Sequence, residues 1–584
     1  MRIYASRGGS DHGGNGGGPR RAPSGRPGGV QFPAGVLERH GGRSLNPADA
    51  VVRAGAPTPR QTAYRAGSLL LAEDLLRDGD AVDRINDVLG PQGMRVEAPR
   101  PVTDSGDSLL RRYGPHLADL PRSVPLRVAD SSRLVVLNAW PALQALRSAV
   151  AGGRLGDRVM TGVGLDHLLV GSAVSGIGGS PATQGSPATQ GSPATQGSSG
   201  LTSYALPGLG GRGPVDIFMA PPPRRSPAEI GGRRPVVAVL DTGIGAHPWL
   251  DIPADGSPFP PDGFVSVDPE LQAAILAEER RVAAAGTLPV ELLQTEWDTP
   301  IAPGTLIGDV DTHAGHGTFI AGLIRQVAPD ARVHAVRIMH SDGIVYEGDL
   351  LLALRLIGAR LAAATTSMEQ GQADPPPDHL VDVLSLSLGY FDESPDDAAF
   401  TSLLAVEIDK LTSLGVMVVA AAGNYATDRK FYPAALAARP SGDGPAVASV
   451  GALNPNDSKA LFSDDGDWVH YWAPGAAVVS TYPTTFAGSQ GPIVTNPTLN
   501  LGGFPQRRDT LDTDDFSSGF ATWSGTSFAA PLLAARVAAG LLAGATEDDK
   551  LSLADRDAAA TIRRVNKALG SLQGEALHGG APNG

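Results

Sequence analysis

The chain has 584 residues, a formal net charge of −14, 42% hydrophobic and 18% charged residues, and no cysteine. It is too long for one ordinary domain and apolar enough for a packed core. The acidity argues against a nucleic-acid binder, which needs a basic footprint to displace counterions. The lack of cysteine excludes disulfides, a thiolate zinc site and a Cys nucleophile.

The opening residues, MRIYASRGGSDHGGNGGGPRR, put Gly, Arg and Pro where a secretory signal needs a continuous apolar stretch. No run of about 18 apolar residues predicts a membrane helix. The expectation is a cytoplasmic protein, with secretion as the alternative if the start site is misassigned. Residues 1–62 are rich in Gly, Pro and Arg, with nine Arg against Asp11, Glu38 and Asp49. That composition predicts a disordered tail.

Residues 63–172 are globular in composition. SLLLAEDLL (68–76) starts as a strand, and AVDRINDVLG (81–90) has helical spacing and ends on Gly90. MRVEA (94–98), LRVAD (126–130) and RLVVLNAW (133–140) read as strands, PALQALRSAVAGG (141–153) as a helix, and DHLLVGS (166–172) as a strand. The order strand, helix, strand, strand, helix, strand predicts a small α+β, ferredoxin-like domain. Residues 173–234 follow as a linker. They contain GSPATQ three times (179–196), a unit too short and too polar to bury a core.

From 235 to 546 the pattern is α/β. Buried-strand runs VVAVL (236–240), ARVHAVRIM (331–339), VDVLSLSLG (381–389) and VMVVAAAG (416–423) alternate with helical stretches at 318–328, 348–364 and 399–415. Such runs predict a mostly parallel sheet covered on both faces. Ligands of such sheets collect at the carboxyl ends of the strands. Residues 547–584 carry one more helical stretch, 553–569, and a Gly-rich tail.

Three motifs fall where that rule points. Asp241 in VVAVLDTGIG follows a strand, His316 in DTHAGHGTFIAGLI opens a helix between two glycines, and Ser527 in SGTSFAAPLLAARV opens an Ala-rich helix. A Ser hydroxyl is a weak nucleophile that needs a His base, and the base needs a carboxylate on its other nitrogen. The developing oxyanion needs preorganised donors. Asn424, at the end of VVAAAGN, can supply a side-chain amide, and the N–H of Ser527 lies at the positive end of its helix.

The order Asp, His, Ser and these motifs resemble the subtilisin-like serine proteases, the subtilases or peptidase family S8. The resemblance covers roughly 235–545. It implies a three-layer subtilisin-like fold and peptide-bond hydrolysis through an acyl-enzyme. It also makes Ser387, Leu388 and Gly389 of SLSLG candidate substrate contacts, and Ala422 and Gly423 of AAAGN candidate walls of the primary pocket. FYPAAL (431–436), AVASVGALN (446–454) and LFSDDGDWVHYWAPG (461–475) continue the family's succession. A ferredoxin-like module ahead of such a domain resembles the family's propeptide, which assists folding and blocks the cleft until it is removed. Residues 63–172 are accordingly expected to dock on the cleft in cis, with cleavage in the linker; a fused accessory domain is the alternative. The family often binds structural calcium. No unambiguous carboxylate loop maps onto such a site here, so structural calcium stays open but unmapped, and no cofactor is required for the reaction. Partners are expected to be protein or peptide substrates, with no nucleic acid and no membrane.

The chain departs from the family in long segments between Asp241 and His316 and between Pro474 and Thr522. The first contains an acidic helical stretch, 268–286. Other readings are weaker. A second Asp-(Ser/Thr)-Gly, Asp104-Ser105-Gly106, lacks the hydrophobic strand an aspartic protease would need. His313 and His316 sit on a glycine loop without the Glu of a zincin, so GDVDTHAGH (308–316) reads as an acidic surface loop and not as a metal site. A pseudo-protease that only binds peptides is the functional alternative.

Overall fold

The structure is a computed structural model that describes chiefly residues 3–5, 34–97, 108–173 and 210–573. Short stretches inside these ranges are excepted, among them 301–309, 395–401, 440–446, 487–493 and 509–514. The GSPATQ repeats, Asp104–Gly106 and residues 574–584 lie outside the described residues.

The peptidase domain is built on seven parallel strands. Their spatial order is Tyr471–Pro474, Ala448–Leu453, Met417–Ala421, Val381–Leu386, Val236–Asp241, Arg332–Arg337 and Val265–Val267. Side chains alternate across such a sheet. Val237 and Val239 pack with Ile320, Leu323 and Ala529 from helices His316–Val327 and Thr526–Glu547. Val236, Ala238 and Leu240 pack on the other face with Leu350, Leu354 and Ile408 from helices Glu347–Glu369 and Leu403–Ser413. The result is the expected three-layer α/β fold. Val236–Asp241 lies inside the order, and the chain leaves it to both sides, which opens a crevice at its carboxyl end.

The N-terminal unit is a second sheet. Its strands are Thr62–Ala72, Met94–Val96, Pro121–Val128 and Val163–Gly171, paired antiparallel in the order fourth, first, third, second. Leu69, Leu71, Val124 and Leu126 pack against Ile85, Leu89, Leu143 and Leu146 of helices Gly79–Leu89 and Ala139–Ala151. This is the ferredoxin-like arrangement. Leu70 and Leu168 join the peptidase core on the opposite face. The fourth strand also pairs with Ile344–Tyr346 and Leu388–Gly389 of the peptidase domain, so one sheet runs through both units. Arg122 reaches across to Glu278 of helix Pro269–Ala285.

Several elements differ from the sequence reading. SLLLAEDLL is split, with the strand ending at Ala72 and a short helix at Glu73–Arg77. RLVVLNAW is not a strand: Leu134 and Val136 are exposed, and the segment leads into Asn138, which caps helix Ala139–Ala151. The tail is not structureless throughout. Tyr4–Ala5 adds an antiparallel edge strand beside Tyr471–Trp472, and Ala34–Arg39 and Gly42–Leu45 form a helix and a strand. The end of the linker is packed: Arg224, Arg225 and Arg234 bind Asp262 and Asp330. The last helix, Ala558–Gln573, lies on Thr526–Glu547, where Gly540 leaves room for Ala568. Among the described residues, two helices, Glu347–Glu369 and Thr526–Gly544, are long and apolar enough to cross a membrane, and both are mostly buried in this fold.

Candidate active site

Asp241 is the last residue of the strand Val236–Asp241. Gly243, at φ 90°, turns the chain away from it; a side chain there would strike the backbone at Glu296–Asp298. His316 is the first residue of its helix, after Gly315 at φ 82°. Its Nδ1 lies 2.8 Å from Asp241 Oδ1, which also accepts from the Thr242 N–H at 2.8 Å. The carboxylate therefore holds the proton on Nδ1 and leaves Nε2 as the free base. That Nε2 has no hydrogen-bond partner. Ser527, in the first turn of its helix, donates its hydroxyl to the Ser387 carbonyl at 3.1 Å. All three side chains are buried, and the ring of Phe528 lies 5.4 Å from that of His316. The structure thus brings Asp241 and His316 into direct contact. The hydroxyl of Ser527 faces the Ser387 carbonyl.

Asn424 lies just past the strand Met417–Ala421. Its Oδ1 accepts from the N–H and the hydroxyl of Thr526, both at 2.9 Å, and this fixes which way the amide faces. Its Nδ2 donates to the carbonyl oxygen of Ser172. The same oxygen accepts from the Ser527 N–H at 3.0 Å. The segment before it lies extended between two peptidase strands. Gly171 stands opposite Leu388 and Val170 opposite Gly389, and the Ser172 N–H donates to Ser387 O at 2.9 Å. On the other side Leu168–Val170 pairs with Ile344–Tyr346, and the Gly171 N–H donates to Gly343 O at 2.8 Å. The chain's own residues 168–172 thereby occupy the cleft as an added strand. Gly525 permits the approach, because a Cβ there would lie 2.5 Å from Ser172 O.

The subtilase profile matches residues 232–573, more than half of the chain. The chain belongs to the subtilase family. It is 30% identical over 271 residues to subtilisin BL of Lederbergia lenta, covering 45% of this chain and 71% of that protein. Subtilisin Savinase of the same organism is 29% identical over the same shares. The alkaline protease of Alkalihalobacillus alcalophilus is 29% identical, covering 45% of this chain and 50% of that protein. A solved protease domain of PatA is also similar, at 20% identity and a TM-score of 0.33 over 59% of this chain and 97% of that one. With subtilisins as its relatives, the protein is a subtilisin-like serine endopeptidase acting on protein or peptide substrates. The family match extends past the expected boundary at 546 and takes in helix Ala558–Gln573.

Of the substrate-lining residues expected in this subtilase, Ser387, Leu388 and Gly389 border residues 170–172. Ala422 and Gly423 set the course of the chain into Asn424. The Ala422 N–H donates to Val450 O, and the Gly423 N–H donates to Thr526 Oγ1 at 3.1 Å. The loop ending at His316 is not an acidic surface loop: Asp311, His313 and His316 are buried. Arg212, from the end of the linker, donates to the carbonyls of Val310, Asp311, Thr312 and Ala314 and so braces it. Burial drives the His313 imidazole down to about 3, with His316 and Arg212 adding to the effect, so it is neutral. Among the described residues, no group of three or more His, Asp or Glu is placed to hold a metal ion.

Two further parts of the site carry no motif in the sequence. Asp298 Oδ2 accepts from Thr242 Oγ1 and from the Gly315 N–H, both at 2.8 Å, and so ties the residues after Asp241 to the one before His316. Its carboxyl is pushed up to about 7 by burial, against the pull of Arg337. The strand Ile344–Tyr346 forms the second wall of the cleft. Nothing in the local sequence of either names its role. Both follow only from the fold.

Proposed function

We propose that Asp241, His316 and Ser527 form the catalytic triad, and that Asn424 Nδ2 and the Ser527 N–H form the oxyanion hole. The observation that carries this reading is the Ser172 carbonyl, held by both donors while residues 168–172 lie in the cleft. Ser527 Oγ attacks such a carbonyl carbon, and His316 Nε2 takes the hydroxyl proton. The two donors stabilise the resulting oxyanion, and His316 returns the proton to the leaving amine as the C–N bond breaks. Water then attacks the ester by the reverse of these transfers, releasing the acid and restoring Ser527. The same contacts support a propeptide-like role for residues 63–172, with the Ser172–Ala173 bond presented for cleavage. A fluorophosphonate probe should label wild type and leave Ser527→Ala unlabelled.

The Ser527–Ser387 hydrogen bond favours a second reading, a peptide-binding pseudo-protease whose serine is turned from its base. Folded wild type that neither takes the probe nor cuts any peptide would establish that reading and remove the first.

A further inference from the structure

The second residue before the Ser172–Ala173 bond is Gly171. A Cβ built on it would lie 2.7 Å from Cδ2 and 2.9 Å from Nε2 of His313, and 3.1 Å from the sulfur of Met339. These are closer than van der Waals contact allows, so a side chain enters only if the imidazole moves. The ring is not free to move. Its Nδ1 lies 3.0 Å from Thr312 Oγ1, and its Nε2–H points to the Gly171 carbonyl at 3.3 Å. Behind it stands Gly343, at φ 90°, so close that a Cβ there would overlap the ring as well. The His316 ring packs edge-on at 5.4 Å. The Met339 side chain is fully buried. His313 is therefore a fixed wall facing the second residue before the bond.

The residue just before the bond meets a second restriction. Ser172 is buried, and its hydroxyl has no hydrogen-bond partner. Gly389, an expected substrate contact, and Gly423, an expected wall of the primary pocket, both have the ring of Phe431 against them. Phe431 Cδ1 lies 2.8 Å from a Cβ built on Gly389 and 3.1 Å from one built on Gly423. Phe431 is fully buried and packs on Phe391 at 5.1 Å between centroids. A ring in that place takes up room that a large side chain before the bond would need.

Resting on the peptidase reading above, we propose that His313 and Phe431 restrict this enzyme to bonds preceded by glycine and then a small residue, Gly-Ser or Gly-Ala. His313 sets the glycine requirement, and Phe431 sets the small residue after it. Residues 168–172 (Leu-Leu-Val-Gly-Ser) are the first sequence to satisfy it.

The test uses full-length protein and quenched peptides that differ at one position. The parent is Leu-Leu-Val-Gly-Ser-Ala-Val. One variant has Ala for Gly, and another has Phe for Ser. One added methyl in a closed pocket is worth at least about tenfold. Wild type should therefore cut the parent, between Ser and Ala, with kcat/KM at least about tenfold above either variant. His313→Ala should bring the Ala-for-Gly peptide to within about threefold of the parent without changing the discrimination against Phe. Phe431→Gly should selectively admit the Phe peptide. If that buried-ring variant does not fold, the wild-type comparison of Ser with Phe decides the first position alone. Equal cutting of parent and Ala-for-Gly peptides by wild type would overturn the proposal, as would an unchanged ratio in His313→Ala. A second measurement uses the chain itself: Gly171→Ala should slow the cut at Ser172–Ala173, and Gly171→Ala with His313→Ala should restore it. Probe labelling separates the two layers. Labelled protein with another preference removes only this specificity, whereas protein that is neither labelled nor active removes the catalytic reading and this one with it.

Discussion

The carbonyl oxygen of Ser172 lies 3.0 Å from the backbone nitrogen of Ser527, and the amide of Asn424 donates to the same oxygen. On the proposed reading, a carbonyl held by both groups is presented to Ser527 as a scissile bond is. Wild type is therefore expected to yield a fragment beginning at Ala173, at the start of the linker, and Ser527→Ala to stay intact. Intact-mass analysis and N-terminal sequencing read this directly. A cut of equal extent in both proteins would mean that another protease makes it.

Asn424→Ala removes one of the two proposed oxyanion donors while leaving Ser527 and His316 in place. The expected loss is about 10²–10³ in kcat with little change in KM, because the interaction forms chiefly with the oxyanion. Thr526 acts one step further out, since its hydroxyl and N–H aim the Asn424 amide. Thr526→Val keeps the N–H bond and loses the hydroxyl, so a smaller fall in kcat, of about tenfold, is expected on the same peptide. Steady-state kinetics on a processed sample check both. A rise in KM with kcat unchanged would place Asn424 in substrate binding instead.

The parts of the site that sequence reading reached are those whose signal is local. Asp241 closes a run of buried β-branched residues, His316 and Ser527 open helices beside glycines, and Asn424 ends an apolar strand. Each has a type and a neighbourhood that the chemistry demands. His313, Asp298 and Phe431 carry no such signal. His313 meets Gly171, 142 positions away, only in the folded chain. Asp298 sits in a long segment whose local pattern says nothing about Thr242, 56 positions back. RLVVLNAW differs for a related reason: a short apolar run rich in valine suggests a strand, but no neighbouring strand pairs with residues 134–137, and Leu134 and Val136 face outward.

His167, on the strand shared by both units, lies between two peptidase carboxylates. Its Nδ1 is 2.6 Å from Glu347 Oε2 and its Nε2 is 2.9 Å from Glu393 Oε2, with Arg147 on the far oxygen of Glu393 and Tyr390 stacked on the ring. Burial opposes the charge, but the two carboxylates win and hold the imidazole well above its usual range. A raised His value gives stability that is complete below the unfolded value, about 6.5, and is lost as pH rises through the folded one. His167→Gln in the Ser527→Ala background should cost about 3–5 kcal/mol near neutral pH, because buried Glu347 loses its cation and buried Glu393 keeps only Arg147. The gap in Tm between the two proteins should be widest near about pH 6 and narrow as the pH is raised above the folded value. A gap that widens with rising pH would show that His167 is neutral in the folded protein.

Asp298 runs by the same linkage with the opposite consequence for neutral pH. Its folded value, about 7, lies above the ordinary 3.8, chiefly because burial disfavours the charged form. The unfolded chain therefore releases this proton first as pH rises. The group's contribution is complete below about 3.8 and is lost as pH climbs through about 7. Asn matches the neutral acid: one oxygen can still accept from Thr242 Oγ1 and the Gly315 N–H, and the other position, Oδ1, already lacks a partner. Asp298→Asn should thus be close to wild type in Tm near about pH 4 and gain on it towards about pH 8, by up to the order of 4 kcal/mol. The charge that disappears stands near Asp241, whose carboxylate it opposes. Activity separates the two roles that Asp298 can hold. If it serves only to tie Thr242 to Gly315, the variant keeps kcat, because both hydrogen bonds survive. If its charge also tunes the Asp241–His316 pair, the pH profile of kcat/KM shifts on its acidic limb while the folded structure stays intact, and that limb is the measurement that tells the two apart.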